Sequence, residues 1–471
     1  MKAGIRGGVR RVAAVLFVLG GSLSTAVLSG SQPASAAPVA VLYVTTAGSG
    51  SVCSLSNPCG SIQTAVNVAT NGLYDGDDVT IEVASGSYAG GLAISSETLH
   101  SLTVAGAGAR TTTVQGRSSQ TDVTVGGTVN LSGLTIADGG AGGILPLYGG
   151  GIMTDGNLTL TGTTVSGNAA SYGGGIATMT GTLVLIDSTV SNNLADNGGG
   201  IFNNGFDNGT LALNSSTLSG NTADDGGGIY SGGGVVLTDS TISGNTADVG
   251  GGALYNNAGT AMVGASILAA NTGGNCDGNT PTSVGYNLTD DSSGADCGFT
   301  QPTDVVGSSP TLQPLGDNGG PTQTMLPMPH SPAIGRIPSV PATTLNGIQV
   351  CPRIDQRGVA SDGSCTIGAV EIPASGQLRI TTTSLPDGTV GQPYSATFQV
   401  TGGNPPYRWW YSPGGSLPRG LHVTSATGVL SGIPKRAGTH SVTFRVRDTK
   451  VARNVPFNKA YAAITITIVI G

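Results

Sequence analysis

Three consecutive glycines recur at Gly149–Gly151, Gly173–Gly175, Gly198–Gly200, Gly226–Gly228 and Gly250–Gly252, at spacings of 24, 25, 28 and 24 residues. A period in this range means a solenoid, in which each repeat is one supersecondary unit that buries its apolar face only against its neighbours. Ile152, Ile176, Ile201 and Ile229 follow the first four triplets, and Ala253 follows the fifth. Next come apolar pairs two residues apart, Leu158/Leu160, Leu183/Leu185, Leu211/Leu213 and Val235/Leu237. Five residues beyond these pairs stand Val165, Val190, Leu218 and Ile242, and then Asn168, Asn193, Asn221 and Asn245. Apolar positions at period two, with Thr and Ser between them, predict strands with one buried face.

Each unit therefore offers three short strands separated by Gly or Asn corners, with no stretch suited to a helix. That is one coil of a parallel β-helix, whose coils stack about 4.8 Å apart so that equivalent residues lie above one another. Leu160, Leu185, Leu213 and Leu237 become an internal aliphatic stack. The corner Asn residues are expected to hydrogen-bond from coil to coil, and Asn tolerates left-handed backbone there. The triplets supply positive φ, which accounts for much of the 79 Gly among 471 residues. A leucine-rich horseshoe needs a helical or irregular return, and these Gly-rich returns argue against it. Glycine without a strict three-residue period excludes collagen, and 38% hydrophobic residues exclude a highly charged disordered chain. Irregular earlier coils are expected at 79–83, 92–94, 102–104 and 129–136. Residues 61–69 instead carry Ile62, Ala65, Val66 and Ala69 at helical spacing, which suits a cap over the open first coil.

The pattern L-x-L-x-x-S/T-T-V-S-G-N-x-A-x-x-G-G-G-I resembles right-handed β-helix repeats of bacterial surface proteins, with pectate-lyase-like architecture. Downstream stand Gly285-Tyr-Asn-Leu288, Asp317-Asn-Gly-Gly-Pro-Thr322, Ser331-Pro-Ala-Ile334, Asp355-Gln-Arg-Gly358 and Cys365-Thr-Ile-Gly-Ala369. This ordered series is similar to the choice-of-anchor Q domain that often ends such helices. It departs from that pattern at Thr366 and at Gly335-Arg336, so no acidic ligand position is carried over there.

Charge divides the chain. Residues 1–36 carry +4, residues 37–373 carry −19 and residues 374–471 carry +8. The first segment reads as a signal peptide: a basic start, the apolar run from Val12 to Leu19 and Ala34-Ser35-Ala36 as a cleavage site. Arg10-Arg11 resembles a twin-arginine pair with only part of the expected hydrophobic sequel, which favours the general secretory route. No later stretch is long and apolar enough for a membrane span. The expected location is outside the cell, secreted or wall-associated. Export suits six cysteines, which pair by sequence proximity as Cys53–Cys59, Cys276–Cys297 and Cys351–Cys365, out of fifteen possible connectivities. A metal reading of these cysteines lacks CxxC spacing and a His cluster.

From residue 377 the texture changes to alternating strands with regular turn signals, the pattern of a β-sandwich. Gly391-Gln-Pro-Tyr394, Gly402-Gly-Asn-Pro-Pro-Tyr407, Leu417-Pro-Arg-Gly-Leu421 and Thr427-Gly-Val-Leu-Ser-Gly-Ile-Pro434 make it similar to the bacterial "putative Ig" module, a cadherin-like sandwich used as spacer or adhesive unit. The fold expected is all-β: a signal peptide (1–36), a right-handed parallel β-helix with N-terminal cap and choice-of-anchor Q-like end (37–373), then an Ig-like sandwich (374–471).

Catalytic chemistry has few candidates. Between Arg117 and Arg336 there is neither Lys nor Arg against sixteen Asp, so this stretch lacks the base and the uronate-neutralising cations of a β-helix lyase, and a polyuronate is repelled unless a metal intervenes. Paired carboxylates would suit hydrolysis, and Asp224-Asp225 is the nearest to such a pair; its bland reading is a solvated loop. Asp196, Asp224 and Asp248 each lie three residues after a corner Asn and would form a carboxylate row, solvated or bridged by Ca²⁺. The four His lie outside the regular repeat, with no nucleophile motif. Candidate ligand contacts are Trp409 and Trp410, of which one should face inward, with Tyr172 and Tyr230; Tyr148, Phe202, Phe206 and Tyr255 extend the list of aromatics available to line a groove on the β-helix. The first functional reading is a surface binding or adhesion protein for carbohydrate or an anionic wall polymer. The second is a polysaccharide hydrolase or lyase with the sandwich as accessory module, and the third a passive spacer. Nucleic acid is not an expected partner.

Overall fold

The computed structural model describes residues 39–469 apart from segments 117–119, 141–146, 206–208, 339–343, 346–347, 352–353, 362–363, 373–377, 383, 403–405, 412–416 and 449–458. Residues 1–36, expected from sequence to be a signal peptide, and Phe206 lie outside the described residues.

The repeats coil into a parallel β-helix with three walls. The first wall is a ten-stranded sheet running from Val39–Val44 to Thr282–Gly285; the second and third have eight strands each, from Gly86–Ala89 to Ile267–Ala269 and from Leu92–Ser95 to Cys276–Gly278. Every pairing within these walls is parallel, and apart from a register shift between Val263 and Gly264 at the last first-wall strand the coils keep repeat register: Leu158, Leu183 and Leu211 are partners on the first wall, Val165, Val190 and Leu218 on the second, Ile152, Ile176 and Ile201 on the third. These side chains are at most 1% exposed and make one continuous core.

Two polar ladders turn the corners. Between the second and third walls, Asn168, Asn193, Asn221 and Asn245 each pass an amide N–H to the Oδ1 of the Asn one coil on, ending at Asn271, at 2.9–3.0 Å. The same oxygens accept the backbone N–H of the Asn one coil earlier. The left-handed residue at this corner is the one before the ladder Asn: Gly167, Asn192, Gly220, Gly244 and Ala270 have φ of 56–75°. The ladder Asn keeps ordinary backbone because both ends of its amide are committed. Between the first and second walls, Ser188, Ser216, Ser240 and Ser266 form a second ladder, each hydroxyl accepting the backbone N–H of the preceding coil at 3.1–3.3 Å. Its signal is the Ser that recurs just ahead of the second-wall strand, unremarkable in a chain rich in Ser and Thr.

The triplets serve mainly close approach. In each of the first four only the leading glycine has positive φ. A Cβ on the second or third would collide with backbone: at Gly174 it would lie 2.3 Å from the Leu194 carbonyl oxygen.

The expected cap forms as the helix Ile62–Ala69, started by the Ser61 hydroxyl accepting from Thr64 N–H, with Ile62, Ala65, Val66 and Ala69 buried. Gln63 pairs with both backbone groups of Ala93, so the helix also satisfies the first strand of the third wall. The described residues of the segment 311–371 form a strap along the second wall. Gln356, 1% exposed, donates to Ser188 O, Thr189 Oγ1 and Thr322 Oγ1 and accepts from Thr217 Oγ1. Asp355 accepts from Arg357 and from the N–H groups of Val359 and Glu371, which folds the Asp-Gln-Arg-Gly turn around that glutamine. The three disulfides are Cys53–Cys59, Cys276–Cys297 and Cys351–Cys365.

Residues from 378 onward have their own core. A four-stranded sheet (Gly388–Thr389, Lys459–Val469, Gly438–Arg447, Arg408–Tyr411) and a three-stranded sheet (Tyr394–Thr397, Val429–Gly432, Leu421–Thr424) enclose Phe398, Trp409 and Phe444 in an Ig-like sandwich. Among the described residues no helix is long and apolar enough to cross a membrane.

Candidate functional site

The triglycine corner joins a short extended segment to the third wall, and side chains from both flanks meet outside it. Parallel bridges place Tyr148, Tyr172, Asn197 and Asp225 in one column before the glycines. Third-wall register places Ala177, Phe202, Tyr230, Tyr255 and Asp277 in a second column after them. The turn between is sharp because nothing larger than hydrogen fits on the inner glycines, so the columns close on each other: the Tyr172 and Phe202 rings are 5.1 Å apart.

The aromatic members form an unbroken run. Tyr148–Tyr172, Phe202–Tyr230 and Tyr230–Tyr255 stack at 5.3, 5.3 and 5.2 Å, with interplanar angles of 29°, 20° and 8°. These spacings follow the coil rise, so each ring covers much of its neighbour's face. Phe202 is buried at 6% exposure and the four tyrosines are half-buried. Rings packed face to face in this way leave their hydroxyl-bearing edges for a ligand.

Asp225 sits at the acidic end of the run. Its Oδ1 is buried with no hydrogen-bond donor among the described residues. Burial pushes its carboxyl above the usual range, and the charges of Asp224 and Asp277 push the same way. Gly250, its register partner on the next coil, is covered by Asp277: a Cβ there would lie 2.0 Å from Asp277 Oδ2. Burial raises the Tyr230 hydroxyl as well, with Tyr255, Asp225 and Tyr172 adding to it. The arrangement is a half-buried carboxyl with a raised pKa and a second, exposed carboxyl group beside phenol edges.

Adjacency in sequence does not make Asp224 and Asp225 a facing pair. They alternate on extended backbone, so Asp224 is exposed on the outside while Asp225 turns toward the aromatics. The carboxylate beside Asp225 over the corner is Asp277, which sequence reading missed; counting register from Tyr230 through Tyr255 is the only signal that reaches it. Of the proposed calcium ligands, Asp196 lies level with Asp224, since Leu194 pairs with Thr222 and Asn197 with Asp225, whereas a register shift between Ala223 and Asp225 interrupts the pairing where Asp224 would meet Asp248; all three are exposed. Among the described residues no group of three His, Cys, Asp or Glu is arranged to hold a metal ion. Tyr172 and Tyr230 both belong to the aromatic run. Trp409 does not serve as a ligand contact: at 4% exposure it stacks on Phe398 in the sandwich core, in space left by Gly428. Trp410 is half-exposed on the other face.

Comparison with known proteins agrees with this division. Residues 377–469 match the family described as Putative Ig domain, and residues 215–232 and 239–257 match the Chlamydia polymorphic membrane protein repeat. Among solved structures, pectate lyase Pel9A is similar over 54% of this chain and 68% of its own, at 15% identity and a TM-score of 0.35. A putative alpha-galactosidase and a putative alpha-galactosidase/melibiase, both from Bacteroides fragilis, are similar over 20% of this chain at 22% and 19% identity, each with a TM-score of 0.17; the chain spans 18% of the length of each. No curated protein matches the sequence.

Proposed function

We propose that the chain is an extracellular carbohydrate-binding protein whose β-helix takes a neutral or weakly charged glycan along the triglycine corner. The observation that carries this reading is the run of aromatic side chains on consecutive coils, continued by Asn197, Asp225 and Asp277. Phenol, amide and carboxyl edges repeating at the coil spacing suit the hydroxyls of an extended polysaccharide better than they suit a compact solute. Export by the segment 1–36 and the choice-of-anchor Q-like strap agree with a surface protein, and three disulfides suit an oxidising compartment. The domain boundary near 374 falls where −19 gives way to +8, and the basic module is proposed to hold the protein to anionic wall polymers. High salt should release the protein from cells.

Affinity electrophoresis of the full chain against neutral polysaccharides tests the binding site. Retardation by at least one glycan, weakened about tenfold or more in Tyr230→Ala and in Asn197→Ala, is the expected result. Variants retarded like wild type would remove the corner from consideration.

The same corner supports a second reading, glycoside hydrolysis. Asp225, whose carboxyl burial raises above the usual range, suits the role of proton donor to a leaving oxygen, with Asp277 as the second carboxyl. New reducing ends from wild type and none from Asp225→Asn would favour this enzyme reading; no product from folded wild type would leave binding alone. The calcium row remains a separate proposal, opposed by a melting temperature that does not respond to added calcium.

A further inference from the structure

The triglycine corner continues toward the N-terminus as far as the cap helix. Backbone hydrogen bonds carry it back coil by coil: Gly173 O accepts from Gly150 N–H, Gly150 O from Asp122 N–H, and Asp122 O from the N–H groups of Gly91 and Leu92. Gly90-Gly91 is therefore the same turn on the first coil, between strands Gly86–Ala89 and Leu92–Ser95. Both columns that flank the corner reach it. On one side the Thr121 hydroxyl donates to Tyr148 O, and a Cβ on Gly91 would lie 3.7 Å from Gln120 Oε1. On the other, register runs from Phe202 through Ala177, Met153 and Thr124 to Ala93. There the run stops, because Gln63 on the helix Ile62–Ala69 bonds both backbone groups of Ala93. At this stop lies a cavity of about 390 Å³, whose lining includes Thr46, Ser61, Gln63, Ser87, Gly90 and Gly91. Its size is that of a small-molecule site. Thr46, Ser61 and Ser87 are exposed, so three separate elements bring hydroxyls to it, and Gln63 brings an amide. Among the described lining residues none carries a charge at neutral pH, and the Tyr88 hydroxyl is committed to Ala84 O.

We propose that this cavity receives the terminal sugar of a neutral glycan lying along the corner, so that the protein recognises chain ends. The inference rests on the carbohydrate reading of the corner and adds where the chain stops. The cap helix covers the first coil, so a glycan laid along the corner meets the cavity with its last residue. A terminal sugar differs from an internal one by a free hydroxyl where the next linkage would be, and the hydroxyls and amide of the cavity give that group partners. A charged terminal residue, a uronate or a sugar phosphate, would lose water there with no counter-charge to replace it.

Amylose, pullulan and mixed-linkage β-glucan, all linear and neutral, are to be compared as intact polymers and as short fragments, each competing in solution against retardation of the full chain by the same polymer in the gel. Fragments about ten times shorter carry about ten times as many ends at equal mass, so for a glycan that retards wild type they should displace it at roughly a tenth of the polymer's mass concentration. Ser87→Trp fills the cavity from an exposed position, so it should keep the wild-type melting temperature and lose this advantage of the fragments. Ser87→Ala, which adds no bulk, should weaken displacement by fragments roughly two- to tenfold, the range for one hydrogen bond. Fragments no more potent by mass than the polymer, or an advantage that persists undiminished in Ser87→Trp, overturns the terminal-sugar site while the corner keeps its retardation and its dependence on Tyr230. No retardation of wild type by any of the three overturns this site together with the neutral-glycan reading on which it rests.

Discussion

Asn221 illustrates how much one polar residue can organise in a solenoid. Its Oδ1 accepts from the N–H and from the side-chain amide of Asn193, and its Nδ2 donates to Val190 O and Asn245 Oδ1. Asn221→Ala strands those partners in the interior, at about 1–3 kcal/mol for each group left unsatisfied. A clear fall in the urea midpoint of the full chain, followed by far-ultraviolet circular dichroism, is expected. Asp239 sets a pH dependence. Fully buried at a left-handed corner beneath the strap, it accepts the Cys351 N–H, and burial pushes its carboxyl up to about 8, with Glu371 adding to the shift. The folded state thus holds this proton more tightly than the unfolded state, where the carboxyl titrates near 4. Stability from this group is complete at pH 4 and declines as pH rises toward 8 and above. Asp239→Asn keeps the acceptor and removes the titration, so its melting temperature should exceed that of wild type increasingly from pH 4 to pH 9. Parallel melting curves for the two proteins would show that Asp239 is not the group responsible.

At the scale of the element, the glycine triplet acts as a spacing device. Three small residues let successive corners approach until carbonyl oxygens occupy the place of a Cβ, which keeps the coils at strand spacing through a turn outside the walls. Gly174→Ala brings its new methyl to 2.3 Å from Leu194 O and 2.7 Å from Gly199 O, and rigid backbone on both sides must move. Gly234→Ala, inside a first-wall strand, meets nothing closer than Thr210 Cγ2 at 3.4 Å. Thermal melts should therefore separate the two: a loss of several degrees or failure to accumulate for Gly174→Ala, and little change for Gly234→Ala. The same tight corner is what brings the Tyr172 and Phe202 columns into contact, so a loosened triplet should also weaken glycan retardation.

Across the whole molecule, the strap changes what the second wall is. Thr189, Thr217 and Thr241 point away from the interior of the coil and are nonetheless at most 1% exposed, because residues 311–371 cover them. Gln356 is the bolt of this cover. Gln356→Ala should leave the coils wound and free the strap, read as faster limited proteolysis within 311–371; fragments cut between Cys351 and Cys365 should separate only after reduction. Protection equal to wild type would mean that other contacts hold the strap without the glutamine.

The amino-acid sequence by itself determined the coil. Repeat length, period-two apolar pairs and glycine triplets are local patterns, and a parallel stack converts them into register with no further choice: Leu160 must lie on Leu185 once the repeats align. The helical cap was equally legible, because Ile62, Ala65, Val66 and Ala69 carry its burial in their spacing. What lies across a corner or between distant segments was not. Asp277 joins Asp225 only through coil closure, Gln356 meets Thr189 and Thr217 across more than a hundred residues, and Trp409 and Trp410 divide between core and surface by the phase of one strand. Periodicity records which way a side chain points relative to its own strand. Which side chain from elsewhere it then meets was decided by tertiary structure alone.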